Sequence, residues 1–109
     1  MSLYLNEREI LTDSEGYLTD YHDWSPEVAR QLAGRDSLVL TPEHFAVLEA
    51  AREYYATYAA VPGARGLIAL LRKKGAGGIS SIRLAELFPG GAVRTAARYA
   101  GLPKPASCV

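Results

Sequence analysis

"TPEHFAVLEAAREYYATY" occupies residues 41–58, and its reading decides the fold class. The Thr41 hydroxyl suits a helix N-cap, Pro42 the first helical position, and Glu43 places an acid in the first turn. Phe45, Leu48, Ala51, Tyr55 and Tyr58 then recur at helical spacing. Val61-Pro62-Gly63 breaks the pattern. One long helix is therefore expected here, with an apolar stripe that needs partners.

Partners are found on both sides. Upstream, Ser25-Pro26-Glu27 carries the same start signal and opens a helix expected to end near Gly34. Downstream, a third helix holds Leu67, Ile68 and Leu71 and ends at Lys73-Lys74-Gly75, where cations and a following glycine suit a C-terminus. A fourth carries Ile82, Leu84, Leu87 and Phe88, and Pro89-Gly90-Gly91 interrupts it. A fifth covers roughly 92–100, with Gly101 as its stop. The first 24 residues read differently. Leu3-Tyr4-Leu5 and Ile10-Leu11-Thr12 flank the polar Asn6-Glu7-Arg8-Glu9, and Asp13-Ser14-Glu15-Gly16 is a second turn signal. A small antiparallel ribbon is expected, too small to stand alone. The fold class is mainly α (α+β), a five-helix domain over 1–100 with an N-terminal β-hairpin, followed by an extended arm over 101–109.

The chain's 109 residues suffice for one domain with a core that needs no disulfide. A hydrophobic share of 49% and a charged share of 22% are ordinary for a globular protein. The N-terminal MSLYLNEREI has early charges and no apolar h-region, and no apolar run reaches transmembrane length. A cytoplasmic protein with no membrane contact is expected. Net charge is zero, yet residues 1–60 hold eleven acids and four bases, whereas 61–109 hold Glu86 and eight bases. Such a basic half either attracts nucleic acid or complements the acidic half across one fold.

The chemistry concentrates at the C-terminus. Gly101 ends the last helix, and Pro103 and Pro105 then favour extended polyproline II geometry. At about 3.1 Å per residue, 101–109 spans on the order of 28 Å. The protein's one cysteine, Cys108, lies next to last. Lys104 and the basic half favour its thiolate, and the terminal carboxylate opposes it. A thiol near the ordinary value of about 8.5 remains a competent nucleophile in its thiolate fraction. A chain terminus also tolerates a cysteine with no role, and both readings stand on composition and spacing. A persulfide on Cys108 would have no resolving thiol in the chain, so its sulfur must leave to another molecule. That suits a carrier rather than an oxidoreductase. His22 and His44 fit caps or surface positions, and no Cys/His spacing resembles a zinc set. Neither a metal nor a cofactor is expected. Residues 67–88 also read weakly as helix-turn-helix, with Arg83 and Arg94 placed to touch phosphates.

"LFPGGAVRTAARYAGLPKPASCV" closely resembles the end of the DsrC/TusE family, whose hallmark is Gly-Leu-Pro-Lys-Pro before a penultimate cysteine. "TDSEGYL", "DWSPEVA", "LTPEHFAVLEAAREYY" and "VPGARGLIALLRKK" look like family counterparts in the same order. The resemblance implies a small helical fold with a β-hairpin, a helix-turn-helix-like portion and a mobile C-terminal arm. DsrC proteins of dissimilatory sulfur metabolism carry a second cysteine eleven positions before the penultimate one. Here that position is Ala97, so the chain is more similar to the single-cysteine TusE type. That likeness implies a sulfurtransferase-type persulfide carrier which takes sulfur from a TusBCD-like donor. It passes the sulfur to an MnmA-like enzyme for 2-thiolation of the tRNA wobble uridine. Carried over by position, Cys108 bears the persulfide. Gly101, Pro103, Lys104 and Pro105 form the arm motif, and Arg98 is the basic residue at its base. The alternatives are a DsrC-like protein of the sulfite reductase gamma-subunit type and a helix-turn-helix DNA-binding regulator.

Overall fold

Two short strands open the chain in the computed structural model, which describes residues 2–75 and 78–105. β1 (Ser2–Leu5) and β2 (Arg8–Leu11) pair antiparallel, in register from Ser2↔Leu11 to Leu5↔Arg8. Asn6 and Glu7 make the turn, both at positive φ (53° and 65°), the combination whose twist matches a two-residue hairpin. Arg8 and Glu9, expected in the polar connection, therefore belong to β2. Alternation turns Leu3 and Ile10 into the core and leaves Tyr4 and Leu11 exposed. An isolated bridge between Thr12 and Leu18 brings the chain back past the hairpin, and a single 3-10 turn at Tyr21–Asp23 follows.

Five helices complete the described chain: α1 (Pro26–Arg35), α2 (Pro42–Tyr58), α3 (Ala64–Lys73), α4 (Ser81–Leu87) and α5 (Ala92–Tyr99). The expected start signals at Ser25 and Thr41 operate as caps, and Ser80, which the sequence reading does not single out, caps α4. The Ser25 hydroxyl accepts from the Val28 N–H at 3.3 Å, and the Ser80 hydroxyl accepts from Arg83 N–H at 3.3 Å, each worth about 1 kcal/mol. At α2 the cap is reciprocal. The Thr41 hydroxyl accepts from His44 N–H at 3.5 Å, and His44 Nδ1 accepts from the Thr41 N–H at 3.1 Å. With Nδ1 an acceptor, Nε2 carries the proton and donates to the Leu87 carbonyl at 2.8 Å. His44 is thus a cap, but a buried one, and it ties the start of α2 to the end of α4. His22 stays at the surface.

The core forms where α5 packs against both α1 and α2, with α3 on the other flank of α2. Leu48 and Ala51 of α2 meet Val28, Leu32, Leu67, Leu71, Phe88 and Tyr99 in one cluster. Phe45 and Tyr55 are partly buried at its edge. Tyr58, read as part of the apolar stripe, is 65% exposed and rests against Tyr54 at a centroid distance of 4.6 Å. The helix outruns the core by one turn, so periodicity alone overextends the stripe.

Ion pairs join the acidic and basic halves. Lys74 reaches Glu53, Arg83 reaches Glu43, Arg98 reaches Asp36 and Lys104 reaches Glu15. Four of the second half's bases are thus matched to acids of the first, which favours intramolecular complementarity over an unmatched basic face. Arg83 holds Glu43 through two nitrogens, Nε at 2.9 Å, and also contacts Glu86 at 3.3 Å. A phosphate would have to displace both carboxylates, and this weighs against the nucleic-acid role sketched for Arg83. Arg94 donates to the Gly90 carbonyl of its own loop.

The Arg83 hydrogen bond holds Glu43 below the usual carboxylate range. A depressed folded-state pKa stabilises above the unfolded value of about 4.3 and loses that contribution as pH falls through the folded one. Glu43→Gln is expected to melt below the parent at pH 7. The gap should narrow as pH falls below the unfolded value, as read by circular-dichroism melts from pH 7 downward.

Candidate functional site

The final helix stops where Gly101-Leu102-Pro103-Lys104-Pro105 begins. Leu102 N–H donates to the Ala97 carbonyl at 3.0 Å and Gly101 N–H to the Arg98 carbonyl at 3.2 Å. With Gly101 at φ +73°, this is a Schellman closure, which needs a residue tolerant of the left-handed region. A second constraint is steric. A Cβ on Gly101 would lie 2.6 Å from Trp24 Cδ1 and 2.9 Å from Leu18 Cδ1. Glycine is required here by dihedral angle and by space alike.

Two side chains distant in sequence supply donors to carbonyls that the helix end leaves free. Trp24 Nε1 donates to the Tyr99 carbonyl at 2.7 Å, and Arg52 Nη1 donates to the Ala100 carbonyl at 2.8 Å. The Arg52 guanidinium stacks 4.1 Å from the Tyr21 ring centroid and 4.4 Å from that of Trp24. Burial lowers its pKa from the ordinary guanidinium value. The aromatic faces offset part of that desolvation.

Beyond the closure the chain stays docked for four residues. Leu102 is fully buried among Ala51, Val61, Leu67, Val93 and Ala97. Pro103 and Lys104 are exposed, and Pro105 is buried. Lys104 Nζ meets the Glu15 carboxylate at 2.9 Å. Cys108 lies outside the described residues. Of the other residues singled out by sequence, Arg98 and Lys104 come together on one cleft of about 630 Å³, which Tyr17, Asp36, Arg94 and Tyr99 also line. Asp36 accepts from both the Arg98 guanidinium and the Tyr99 hydroxyl, the latter at 2.6 Å. Burial, reinforced by Asp36, pushes the Tyr99 hydroxyl up to about 12. Tyr17 is raised too, chiefly by burial. Among the described residues no group of three His, Cys, Asp or Glu could hold a metal. None of their helices is long and apolar enough to cross a membrane.

Sequence reasoning missed Trp24, Arg52, Asp36 and Tyr99. Arg52 did leave a signal, since positions 48, 51, 52 and 55 lie on one helical stripe and a charge there demands a buried partner.

The family model described as "DsrC like protein" matches residues 4–109. The chain belongs to the DsrC-like family. Sulfurtransferase TusE of Buchnera aphidicola subsp. Schizaphis graminum is 39% identical to it, over 93% of this chain and 90% of the relative. The sulfurtransferase TusE homolog of Haemophilus influenzae is 39% identical over 98% and 99%. The NMR structure of Allochromatium vinosum DsrC superposes with a TM-score of 0.87 at 40% identity, with both chains fully covered. The crystal structure of the oxidized gamma-subunit of the dissimilatory sulfite reductase (DsrC) from Archaeoglobus fulgidus gives 0.86 at 33%, again over both whole chains. In this DsrC-like chain Ala97 is a buried methyl in the apolar pocket beside Leu102, and its carbonyl closes the Schellman turn.

Gly101→Ala is expected to cost about 2–4 kcal/mol, combining left-handed strain with overpacking against Trp24. Urea unfolding checks it, and a loss below about 0.5 kcal/mol would refute the two-constraint reading. The raised Tyr99 pKa implies stability that is complete below the unfolded value of about 10 and lost as pH rises through the folded one. Tyr99→Phe is therefore expected to flatten the stability profile between pH 10 and 12, measured by the same denaturant titration.

Proposed function

We propose that this protein is a persulfide-carrying sulfurtransferase whose working group is the Cys108 thiolate. The family match over nearly the whole chain and the TusE relatives support the reading. The observation that carries it is the docked root. Gly101, Leu102 and Pro105 are buried, which gives a defined mount three residues before the chain's one cysteine. In the loading step the thiolate attacks the outer sulfur of a donor persulfide. A new S–S bond forms on Cys108, the donor S–S bond breaks, and its electron pair leaves with the donor thiolate. No external oxidant or reductant enters. Unloading repeats the exchange with an acceptor thiolate as the attacking group.

With alanine at 97 and one cysteine in the chain, an intramolecular disulfide is not available to return the sulfur. Release must go to a partner. This favours a relay of the TusE kind over the two-cysteine chemistry of DsrC. We place the donor as a TusBCD-like complex and the acceptor as an MnmA-like enzyme that thiolates the tRNA wobble uridine, all in the cytoplasm. Arg98 and Lys104, already held by Asp36 and Glu15, act as positioning groups at the root of the arm.

Incubation with a persulfide donor is expected to add about 32 Da to Cys108. Dithiothreitol should remove the adduct and Cys108→Ser should abolish it, as read by mass spectrometry of the intact protein and its C-terminal peptide. An equal adduct on Cys108→Ser would refute the assignment, and unchanged 2-thiouridine in a deletion strain would refute the tRNA route.

A further inference from the structure

We propose that Arg52 is the positioning residue of the C-terminal arm, fixing where the arm leaves the domain so that a macromolecular partner meets the Cys108 thiol at a defined place. The inference rests on the persulfide-carrier reading and names a residue for it far from the arm in sequence.

Arg52 joins three parts of the chain at one point. It rises from the middle of α2, stacks on Tyr21 and Trp24 ahead of α1, and donates to the Ala100 carbonyl at 2.8 Å, immediately before Gly101. Tyr21 is itself braced against Tyr55 of α2 at a centroid distance of 4.9 Å. Trp24 donates to the neighbouring Tyr99 carbonyl and fills the space that a Cβ on Gly101 would need. Both carbonyls at the arm's origin are therefore held by side chains that also hold each other.

The choice of residue argues for positioning rather than bulk stability. Position 52 shares a stripe with Leu48 and Ala51, both buried. An apolar side chain there would avoid desolvating a charge but would leave the Ala100 carbonyl without its donor. What an apolar residue cannot do is donate to the Ala100 carbonyl and hold a cation over two aromatic rings. A guanidinium does both at once. The benefit falls on the direction of the chain after Ala100.

The consequence is geometric. Extended chain covers at most about 3.6 Å per residue, so the three steps from Pro105 give Cys108 a range of roughly 11 Å. A partner's reactive sulfur must come within that range of the docked root, extended by the length of the cysteine side chain. If the root moves, a small donor still finds the thiol by diffusion, whereas a protein donor loses its register.

Arg52→Leu tests this with two readouts. Order parameters for the Leu102 and Lys104 amides, from 15N relaxation, are expected to fall from the rigid value of about 0.85 to below about 0.6. Persulfide loading of Cys108 from inorganic polysulfide should stay within twofold of wild type, and loading from a persulfide-charged TusBCD complex should slow at least tenfold. Unchanged order parameters, complex loading within twofold of wild type, or equal slowing with both donors would each overturn the inference. Wild-type protein that takes no sulfur from the complex instead overturns the relay reading, and the order parameters still decide the clamp. Where Arg52→Leu does not fold, Arg52→Lys serves. It keeps the charge, loses the planar stack and should give intermediate values in both readouts.

Discussion

Two hydrogen bonds to the last carbonyls of α5, from Trp24 and Arg52, set the terms for the rest of the molecule. A helix end presents carbonyls that need donors, and here they come from two other regions of the chain. The 3-10 turn and its C-cap bring Tyr21 and Trp24 against the guanidinium that α2 delivers. Both supports act on the two residues immediately before Gly101, where the Schellman closure begins. The hairpin contributes by packing Leu3 and Ile10 into the same core, which keeps the preceding turns in place.

The charge distribution has a related logic. A chain whose first sixty residues are acidic and whose remainder is basic would be expected to present two fields. Folding instead pairs Glu43, Glu53, Asp36 and Glu15 with bases from the second half. Each exposed pair contributes little alone. Their combined effect is to orient the two halves and leave a cleft of mixed sign beside the docked root, lined by Arg94, Arg98, Lys104, Glu15 and Asp36. With Arg98 and Lys104 already paired to carboxylates, that surface is ill suited to gripping a phosphate backbone.

Local chemistry made much of this fold legible. Ser25 and Thr41 are side-chain oxygens placed before helical runs, and each accepts the capping bond. Gly101 read as a stop because a helix C-terminus favours a residue free to enter the left-handed region. Its second reason, the indole of Trp24 at 2.6 Å from a notional Cβ, had no local trace. Tyr58 shows the converse error, since a 3.6-residue period continues past the point where there is anything left to pack against. His44 fits the cap that sequence allowed, but its burial came from the Leu87 carbonyl and the Phe88 ring, both remote in the chain.

By itself the sequence determined the five helices, the presence of an N-terminal hairpin, the solitary thiol at 108 and the proline-punctuated motif before it. These depend on interactions within a few residues or on covalent identity. Only tertiary structure decided that the motif's first residues are docked, and that Arg52 and Trp24 hold its origin. It also decided that Arg98 and Lys104 share one cleft with Asp36 and Tyr99. The physical reason is range. Caps and periodicity are local and can be read in order, whereas a guanidinium over two rings and on the Ala100 carbonyl needs residues 21, 24, 52 and 100 brought together. Nothing short of the folded core does that.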